Sequence, residues 1–449
     1  MSDAGAQFLE KVRTKRVSVA VIGLGYVGLP LATSFGRAGV RVIGLDVNPE
    51  RVATINRGVS HIPDVPTEIM APLIQAGLLS ATTDYSVCAR ADAVVICVPT
   101  PFDRMKAPDL SFIEAACRSL APHVAPGALV VLQSTTYPGT TEELVRPVLE
   151  AGGRRAGRNF LLAFSPERID PGNKQFSAHN TPKVVGGIDA PSTEAAAALF
   201  GLLVPPEQIH RVSGPRVAEM CKLLENIFRS VNIALVNELA MLCTRMGIDI
   251  WEVIDAAATK PFGFMPFYPG PGVGGHCIPV DPYYLSWKAR EYDFYTKFIE
   301  LAADVNSSMP VFTLHRIIEA LNRQGQPLRG AKVLVLGAAF KRDIDDFRNS
   351  PSLALMRNLL AHGADVTYHD PHVPELTLDD EHGGGHASGV RLRSVPLTEQ
   401  SLGAQDCVCL AVAHTAFDLP WLVKHARLIM DATGATRRIS HAPGTVVRL

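Results

Sequence analysis

One cysteine stands in a loop in which few side chains have bulk. Residues 270–281 read Gly-Pro-Gly-Val-Gly-Gly-His-Cys-Ile-Pro-Val-Asp, so Cys277 lies among four glycines and two prolines. Glycine lets a backbone approach a ligand closely, and proline stiffens the loop. A thiol presented in this way is typical of a nucleophile, whereas the ordinary alternative is a small buried hydrophobe. We predict that Cys277 is a nucleophile. We expect no catalytic role for His276, because adjacent loop residues usually point apart.

The amino-terminal region carries the pattern of a dinucleotide-binding unit. A β-branched run at 17–22 predicts a buried parallel strand, and it leads directly into Gly-Leu-Gly-Tyr-Val-Gly at 23–28. A helical pattern follows at 29–37, and a second predicted strand at 40–45 ends in Asp46. This order of strand, glycine turn, helix, strand and acid is that of half a Rossmann fold.

The residues of this turn have separate physical roles. Gly23 permits the tight turn, Gly25 lets a pyrophosphate approach the backbone, and Gly28 lets the helix pack on the strand. Asp46 follows Gly28 by 18 residues, where its carboxylate would bond the ribose hydroxyls. Because a carboxylate there repels a 2′-phosphate, NAD is favoured over NADP.

Polar residues follow three further predicted strands, at 93–98, 128–133 and 160–164. Ligands of an open α/β sheet bind beyond the carboxyl ends of its strands, so Thr100, Thr135 and Glu167 should converge near the nicotinamide. Two alternatives stay open at this point. Thr135 could cap the amino terminus of the following helix, and Glu167 could be a solvated surface acid.

The middle of the chain predicts one long helix, 215–246, with proline at its start and Gly247 after its end. Most of its residues are apolar or small, so we expect it to be substantially buried. Lys222, Asn226 and Arg229 lie on one stripe of this helix. Buried polar groups need partners, either in a network between subunits or in a site that faces developing negative charge.

The carboxyl-terminal third repeats the α/β pattern with a strand at 331–336, a helix at 351–362 and a strand from 365 that leads to Asp370. It lacks the glycine fingerprint, so a second NAD is not expected. Basic residues at 341–348 could hold phosphate or form a charged surface loop, and 383–385 predicts a flexible loop. The fold class is therefore α/β, with two Rossmann-like doubly wound domains joined by a long central helix. The predicted domains are 1–212 for NAD, 213–325 for the central helices and the Cys277 loop, and 326–449 for a ligand other than a second NAD.

Composition argues against several other classes of protein. Net charge is −1, which gives no electrostatic reason to expect nucleic acid or an anionic membrane as a partner. The eight cysteines show no paired spacing, so we expect reduced thiols, no disulfide framework and no metal site. No signal peptide and no apolar run long enough to span a bilayer stand out. We therefore expect a soluble, cytoplasmic protein.

The motifs taken together resemble those of the UDP-glucose/GDP-mannose dehydrogenase family over nearly the whole chain. Besides the glycine fingerprint and the Cys277 loop, they are Ser-Thr-Thr-Tyr-Pro-Gly-Thr at 134–140, Ser-Pro-Glu-Arg at 165–168, Glu-Met-Cys-Lys-Leu-Leu-Glu-Asn at 219–226 and the segment 340–351. Residues 267–272, 282–291 and 170–173 look most like the UDP-N-acetylglucosamine 6-dehydrogenase branch. UDP-N-acetylmannosamine, UDP-N-acetylgalactosamine and UDP-glucose stay open as substrates.

The resemblance implies an NAD-dependent, four-electron oxidation of the sugar 6-hydroxyl to a uronic acid. Cys277 would attack the aldehyde to give a thiohemiacetal, and a second oxidation would leave a thioester that water hydrolyses. Lys222 and Asn226 would stabilise the oxyanion, while Asp281 would pair with Lys222. Glu167, with a water held by Thr135, would serve proton transfer. The family also implies a homodimer or larger oligomer and a role in capsule, O-antigen or another polysaccharide.

The predicted site residues fall into three sets. The catalytic set is Cys277, Lys222, Asn226, Asp281, Glu167 and Thr135. The cofactor-binding set is Gly23, Gly25, Tyr26, Val27, Gly28, Asp46, Pro99, Thr100, Thr135 and Arg348. The substrate-binding set is Glu167, Arg168, Lys222, Asn226, Phe267, Tyr268, Gly274 and Lys341.

One departure from the family pattern concerns the nucleotide end of the site. Thr433 stands where the family usually has an arginine, so either Arg437 or Arg438 substitutes for it or the nucleotide is bound differently. Two other functions compete with the main hypothesis. A two-electron hydroxyacid dehydrogenase would have no need of the Cys277 thiol, and a non-catalytic NAD or nucleotide-sugar sensor would not need the whole catalytic set.

Overall fold

The computed structural model describes residues 3–62, 64–103, 106–169, 175–176, 179–275, 277–378 and 389–449. The features predicted at 170–173, His276 and 383–385 lie outside the described residues. The chain forms two compact units. The first contains the chain up to Glu225 together with Tyr283–Phe294, and the second contains Asn226–Pro282 and Tyr295–Leu449. The three-domain division stays a prediction.

The first unit is built on an eight-stranded sheet. Its strands are β1 (Ser18–Ile22), β2 (Arg41–Leu45), β3 (Leu79–Thr82), β4 (Ala93–Ile96), β5 (Leu129–Leu132), β6 (Leu161–Phe164), β7 (Lys183–Gly187) and β8 (Ile209–Arg211). Its helices are α1 (Asp3–Arg13), α2 (Gly28–Arg37), α3 (Pro49–Asn56), α4 (Thr67–Gln75), α5 (Ser111–Leu120), α6 (Arg146–Glu150) and α7 (Ala190–Phe200). Successive residues of β1 enter different core clusters, Val19 and Val21 in one and Ala20 and Ile22 in the other. Both faces of the sheet are therefore covered, as its continuous apolar strands predict.

Strand order places the predicted site at one edge of this sheet. The order is β3-β2-β1-β4-β5-β6-β7-β8, and β1 to β6 run parallel. This is the doubly wound Rossmann order, with the ligand crevice beyond the carboxyl ends of the strands. β7 runs antiparallel to β6, so the first residue of β7 lies at the same edge as the end of β6.

Long helices and a second sheet make up the rest of the chain. The helices are α8 (Pro215–Met246), α9 (Ile250–Ala257), α10 (Asp281–Ala289), α11 (Lys297–Arg323), α12 (Pro351–Ala361), α13 (Glu399–Gly403) and α14 (Leu419–His425). The strands are β9 (Lys332–Leu336), β10 (Asp365–His369), β11 (Glu375–Leu378), β12 (Val390–Arg393), β13 (Cys407–Leu410), β14 (Ile429–Asp431) and β15 (Val446–Arg448). The predicted bounds of the long central helix are confirmed.

The second unit is also doubly wound. Its five parallel strands follow the order β10-β9-β13-β14-β15, and β11 pairs with β12 as a separate antiparallel ribbon. Gly337, which follows β9, has φ of +89°, close to the +90° of Gly23 after β1. The turn geometry of the first unit therefore recurs without the remaining glycines. The predicted fold class is confirmed.

The expected burial of α8 is wrong for one of its faces. Large apolar side chains at 217, 220, 224, 228, 235, 239, 242 and 246 are between 37% and 60% exposed. Their spacing of three, four or seven residues puts them on one stripe of the helix. By length and composition this helix could also cross a membrane. Of its most apolar 18 residues, 33% are buried. That is weak evidence, because the long helices of many soluble proteins satisfy the same criteria.

Candidate active site

The glycine turn after β1 fits a bound pyrophosphate at one position. A Cβ built on Gly23 would lie 2.7 Å from the carbonyl oxygen of Cys97, and one on Gly28 would lie 1.7 Å from that of Gly23. These two glycines are therefore required by close backbone packing. A Cβ on Gly25 would meet nothing within 4 Å. Gly25 thus leaves open space at its surface, as a site for an approaching ligand needs.

Asp46 ends β2 as predicted, and it is held by its neighbours. Its carboxylate accepts hydrogen bonds of 2.9 Å from the backbone N–H of Leu24 and 3.0 Å from that of Asn48. The guanidinium of Arg51 lies 2.9 Å from the same carboxylate. The first contact ties the acid to the glycine turn, which is where a ribose would lie. Arg51 was missed by the sequence reasoning, although its place on α3, five residues after Asp46, was a usable signal.

The loops after β4 and β5 are fixed by contacts within the first unit. Ser134 Oγ donates a 2.7 Å hydrogen bond to the carbonyl of Val98, which joins the two loops. The hydroxyl of Tyr284 on α10 donates to the carbonyl of Thr100. Pro99 is exposed, while Thr100 and Thr135 are half-buried. These contacts hold the three predicted cofactor residues at the edge where β4 and β5 end.

Thr135 is not a helix cap. Helical structure begins only after Thr140. The backbone N–H groups at its start donate hydrogen bonds to a side chain of α8. Glu219 accepts hydrogen bonds of 2.6 Å from Gly139 N–H and 2.9 Å from Thr141 N–H. Burial raises the pKa of the Glu219 carboxyl, although these bonds oppose the rise. The capping alternative for Thr135 is therefore wrong, because Glu219, distant in the sequence, fills that role.

Glu167 is not a solvated surface acid. Its carboxylate contacts the ammonium of Lys183 at 3.1 Å and the side-chain amide of Gln133 at 2.7 Å. Its neighbour Arg168 pairs with Glu225 at 2.7 Å. The part of Arg168 in substrate binding stays a prediction.

The polar stripe of α8 is partly as expected. Lys222 and Asn226, one helical turn apart, are buried at 9% and 7% exposure, whereas Arg229 is exposed. In the second unit, Asn226 donates a 2.5 Å hydrogen bond to the carboxylate of Asp281. Asp281 N–H in turn donates to the carbonyl of Cys277 at 2.8 Å. Three predicted catalytic residues are thus linked, while the pairing of Lys222 with Asp281 stays a prediction.

The loop that carries Cys277 packs against the segment between β9 and α12. A Cβ on Gly274 would lie 2.6 Å from Phe340 Cβ and 2.9 Å from the carbonyl oxygen of Asn349. Gly275 N–H donates to the carbonyl of Arg348 at 3.1 Å, and the side-chain amide of Asn349 donates to the carbonyl of Gly275, also at 3.1 Å. Glycine is therefore needed at 274 because another backbone occupies the space of a side chain.

The residues just before this loop are anchored by two buried amides that the sequence reasoning missed. Asn237 on α8 accepts the N–H of Gly270 at 3.0 Å and donates to Asn306 on α11 at 2.9 Å. The Tyr268 hydroxyl donates to Asp255 at 2.7 Å. Phe267 packs edge-to-face on Phe228, with ring centroids 5.8 Å apart. The polar positions on the apolar faces of α8 and α11 were the available signal.

The other predicted nucleotide-end residues lie in the second unit. Arg348 is exposed and pairs with Asp346 at 2.6 Å, while Lys341 is half-buried. Thr433 donates from its N–H and its hydroxyl to Asp431, at 2.9 and 2.8 Å, so it closes the turn after β14. Arg437 pairs with Asp255 at 3.3 Å, and its guanidinium lies 5.4 Å from the centroid of the Tyr268 ring.

Cys277 differs in its surroundings from most other cysteines. Five others are buried: Cys88, Cys97, Cys117, Cys407 and Cys409. Burial raises their pKa values, to about 12 for Cys407, so these thiols are protonated and unreactive at neutral pH. Cys277 is half-buried, as are Cys221 and Cys243. Its loop position and partial exposure suit a thiol that must meet a ligand.

One cluster in the second unit has the residue types of a metal site. Ligand atoms of Asp343, His372 and His414 lie within 4.8 Å of one another. Both nitrogens of His414 are already bonded, however. Nδ1 accepts the N–H of Asp343 at 3.0 Å, so Nε2 carries the proton and donates to Asp370 at 3.0 Å. This histidine thus serves a hydrogen-bond network that closes the turn after β9.

Comparison with known proteins identifies the family of the chain. Three parts of the UDP-glucose/GDP-mannose dehydrogenase family match in order: its NAD binding domain at 17–204, its central domain at 216–308 and its UDP binding domain at 334–438. The UDP-N-acetyl-D-glucosamine 6-dehydrogenase of Pseudomonas aeruginosa is 37% identical over 404 residues, which cover 90% of this chain and 92% of that protein.

Other relatives carry the names of other sugars. The NDP-N-acetyl-D-galactosaminuronic acid dehydrogenase of Ralstonia nicotianae is 38% identical over 93% of this chain and 96% of its own length. The solved structure of the UDP-D-ManNAc dehydrogenase of Pyrococcus horikoshii matches with a TM-score of 0.84 and 32% identity, covering 96% of this chain and 98% of that one. The chain therefore belongs to the UDP-glucose/GDP-mannose dehydrogenase family, and it is an NAD-dependent UDP-sugar dehydrogenase.

Proposed function

We propose that this enzyme oxidises the 6-hydroxyl of a UDP-N-acetylhexosamine, with UDP-N-acetylglucosamine as the first candidate, to the uronic acid. The observation that carries the proposal is the anchoring of the Cys277 loop. Asp281 binds both the side chain of Asn226 and the backbone of Cys277, at 2.5 and 2.8 Å. A loop fixed from two sides suits a thiol that must hold a reacting carbon in one place.

Residues of the first unit would hold the cofactor. Gly25 leaves open space beside the turn, and Asp46, which is bonded to that turn, would contact the ribose. Thr100 and Thr135, both half-buried, would lie beside the nicotinamide. Bound NAD supplies the hydride acceptor for two oxidations of the same carbon, one NAD for each. We infer that Arg348 contacts the cofactor and that Lys341 contacts the nucleotide sugar, with Tyr26, Val27 and Pro99 completing the cofactor site.

The thiol of Cys277 links the two oxidations. The first converts the primary alcohol to an aldehyde, with loss of a hydride and a proton. Addition of the thiol to the aldehyde forms a carbon–sulfur bond and a thiohemiacetal, with no change in oxidation level. Loss of a second hydride and a proton gives the thioester. Water then breaks the carbon–sulfur bond, which leaves the carboxylic acid and regenerates the thiol.

Two residues of α8 would stabilise the negative oxygen of these intermediates. The Lys222 ammonium and the Asn226 amide are donors on one buried side of the helix. Preorganised donors in a site that excludes water stabilise developing charge far more than donors in water do. Asp281 would keep the amide of Asn226 oriented and would share protons with Lys222. Glu167, with a water held by Thr135, would serve proton transfer from the alcohol and the later hydrolysis.

The substrate end would be formed by residues around the Cys277 loop. Gly274 packs on the segment 340–349. Tyr268 lies beside the guanidinium of Arg437. This guanidinium would take the place of the arginine that the family usually has at the position of Thr433. We assign Phe267, Tyr268, Gly274, Lys341 and Arg168 to the substrate. The domain roles follow as 1–212 for NAD, 213–325 for the central helices and 326–449 for UDP.

A different sugar is the second candidate. The names of the relatives include N-acetylglucosamine, N-acetylgalactosaminuronic acid and N-acetylmannosamine nucleotides at 32–38% identity. Identities this close to one another do not favour one sugar, so UDP-N-acetylmannosamine, UDP-N-acetylgalactosamine and UDP-glucose are the alternatives. The uronic acid product suits capsule, O-antigen or another polysaccharide.

The stoichiometry of NADH tests the proposal. NADH per mole of sugar is measured for the four UDP-sugars with wild type, Cys277→Ser and the control Cys243→Ser, another half-buried cysteine. We expect two NADH from one sugar with wild type and the control, and loss of steady turnover in Cys277→Ser. One NADH per sugar, or a fully active Cys277→Ser, would contradict the covalent mechanism. NAD binding without NADH from any sugar would favour a sensor.

We also propose that the enzyme is a homodimer or larger oligomer that covers the exposed apolar stripe of α8. Leu235 is 54% exposed and Leu239 39%, and Phe298 of α11, in the same unit, is 75% exposed. An apolar surface of this kind marks an interaction site. Leu235→Glu should lower the mass measured by sedimentation velocity to that of one chain. The control Glu238→Gln, which changes an exposed residue of the same helix, should leave the mass unchanged.

A further inference from the structure

Lys183 is a lysine with no exposed side-chain surface at the ligand edge of the first sheet. It is the first residue of β7, and because β7 runs antiparallel to β6, this residue lies beside the end of β6. That edge is where ligands of an open α/β sheet bind. A buried ammonium needs a partner of opposite charge, because removing an unpaired charge from water is strongly unfavourable.

The partner of Lys183 is the carboxylate of Glu167. The Lys183 Nζ lies 3.2 Å from Oε1 and 3.1 Å from Oε2, so it bridges both oxygens. The same ammonium lies 6.0 Å from the centroid of the Phe200 ring. Sixteen residues separate Lys183 from Glu167 in the sequence, and only the reversal of β7 brings them together. Their contact is therefore a product of the sheet topology.

Other donors complete the shell around this carboxylate. Gln133, which follows β5, donates to Oε2 at 2.7 Å. The backbone N–H groups of Arg168 and Ile169 donate to Oε1 at 2.7 and 3.0 Å. Donors thus reach Glu167 from three directions, which prevents the carboxylate from rotating. The Glu167 side chain keeps 13% exposure, so a water molecule can still approach it.

Among the residues that the structure describes, the charged and titratable groups that face Glu167 favour its ionised form or are neutral. Lys183 faces it from β7, and Cys97 lies near it after β4. Burial raises the pKa of the Cys97 thiol, which therefore carries no charge. The guanidinium of Arg168 is directed toward Glu225. Burial also raises the pKa of Glu167, but Lys183 and the two backbone amides lower it by more, so its pKa lies below the usual range.

We propose that Lys183 is a positioning residue for the reaction, which holds Glu167 ionised and in one orientation at the ligand edge. The inference rests on the proposed function, in which Glu167 serves proton transfer and hydrolysis. Lys183 itself touches no reacting atom in this account. It acts through the carboxylate, whose two oxygens it bridges, and so it defines where an attacking water can be held. Gln133, two residues before Thr135, joins the same network from the loop that would hold that water.

The variant Lys183→Met tests the inference. Without its cation, the buried Glu167 carboxyl should bind a proton more readily, so the acid limb of the kcat profile should move up by at least one pH unit. We expect kcat at neutral pH to fall on the order of 100-fold, the lower end of general acid–base contributions. NAD affinity should stay within about twofold of wild type. Lys183→Arg, which keeps the positive charge, should restore part of kcat and return the acid limb toward its wild-type position.

Two further variants separate positioning from a general loss of structure. Glu167→Gln/Lys183→Met has no unpaired buried charge, so it should fold even where Lys183→Met alone does not. It should turn over at the same rate as Glu167→Gln, because Lys183 acts only through that carboxylate. Lys11→Met is the control, since Lys11 pairs with Asp92 in an exposed ion pair of the same unit and should leave kcat and its pH profile unchanged.

The outcomes distinguish this inference from the proposed function. A wild-type enzyme that forms no NADH from any of the four UDP-sugars would overturn both. An active wild type combined with wild-type kcat and an unmoved acid limb in Lys183→Met would overturn the positioning role alone. So would a double variant at least tenfold slower than Glu167→Gln, because it would give Lys183 an action independent of that carboxylate.

Discussion

The carboxylate of Asp281 accepts a 2.5 Å hydrogen bond from the side-chain amide of Asn226. Asn226 lies on α8, and Asp281, four residues after Cys277, is the first residue of α10. Their contact fixes the orientation of an amide that the proposed mechanism uses as a donor. The carbonyl of Cys277 accepts the backbone N–H of Asp281, so the amide, the acid and the thiol loop form one connected unit.

Replacing Asn226 by Ala should remove a donor to the oxyanion and leave Asp281 without this partner. We expect kcat to fall roughly 100- to 1,000-fold, the usual effect of losing one oxyanion-hole donor. NAD affinity, measured by fluorescence titration, should not change. The matched control is Asn232→Ala, which removes an amide that donates to the Phe228 carbonyl of the same helix. Wild-type kcat in Asn226→Ala would rule out the oxyanion role.

Gly274→Ala should displace the Cys277 loop, because the new Cβ would lie 2.6 Å from Phe340 Cβ and 2.9 Å from a backbone oxygen of Asn349. Overpacking of this kind costs about 1–3 kcal/mol, and here the strain falls on the loop that carries the thiol. We expect slower alkylation of Cys277 by iodoacetamide, followed by peptide mass spectrometry, together with lower kcat. Gly270→Ala is the control, since its Cβ would meet nothing within 4 Å. Equal alkylation rates in the two variants would contradict the packing argument.

Gly25→Ala should lower NAD affinity without lowering stability. Its Cβ would meet no protein atom within 4 Å, so the fold can accommodate it, but the methyl group would occupy the space that a pyrophosphate needs. We expect an unchanged Tm in the absence of NAD and at least a tenfold higher Kd by calorimetry.

Gly152→Ala, where a Cβ also meets nothing within 4 Å, is the comparison for Gly25→Ala and should bind NAD normally. In contrast, Gly23→Ala should lower the Tm itself, because Gly23 has φ of +90° and its Cβ would contact the backbone of Cys97. An unchanged Kd in Gly25→Ala would mean that the cofactor lies elsewhere.

Asp370 should contribute pH-dependent stability to the second unit. Burial alone would raise the pKa of its carboxyl, but hydrogen bonds from His414 and the backbone N–H groups of Ala339, His372 and Ala338 lower the pKa to about 2. The unfolded value is about 3.9, so the stabilising contribution is present above about pH 4 and is lost as the pH falls toward 2. Asp370→Asn should therefore lower the free energy of unfolding by about 2 kcal/mol at pH 7.

Urea denaturation at pH 7 and at about pH 3 checks the Asp370 prediction. The difference between wild type and Asp370→Asn should be smaller at the lower pH, because the carboxyl of the unfolded chain is then mostly protonated while the native carboxylate is not. The control is Asp365→Asn, which changes an exposed acid at the start of β10, the strand that precedes Asp370. It should have little effect at either pH. A difference that does not depend on pH would assign the effect to lost packing and not to the charge.

The local elements that carry chemistry could be predicted from the order of the amino acids alone. Proline at 215 marks the start of α8 and glycine at 247 marks its end. Each residue has a backbone preference that acts within one helical turn, so both ends could be predicted locally. Gly23, Gly28 and Asp46 predicted the first Rossmann half because the tight turn and the close helix packing require those residue types at those spacings. The Cys277 loop stood out for the same reason, since glycine at 274 reflects a close backbone contact.

The contacts between groups that are distant in the sequence could not be predicted in this way. The direction of β7 placed Lys183 beside Glu167, and the position of α8 gave Glu219 the capping role that had been the alternative for Thr135. The exposed stripe on α8 was predicted to be buried, because an apolar pattern shows which face avoids water but not what covers it. Such pairings depend on strand direction and helix placement, which arise from contacts across the whole domain and have no periodic signal in the sequence.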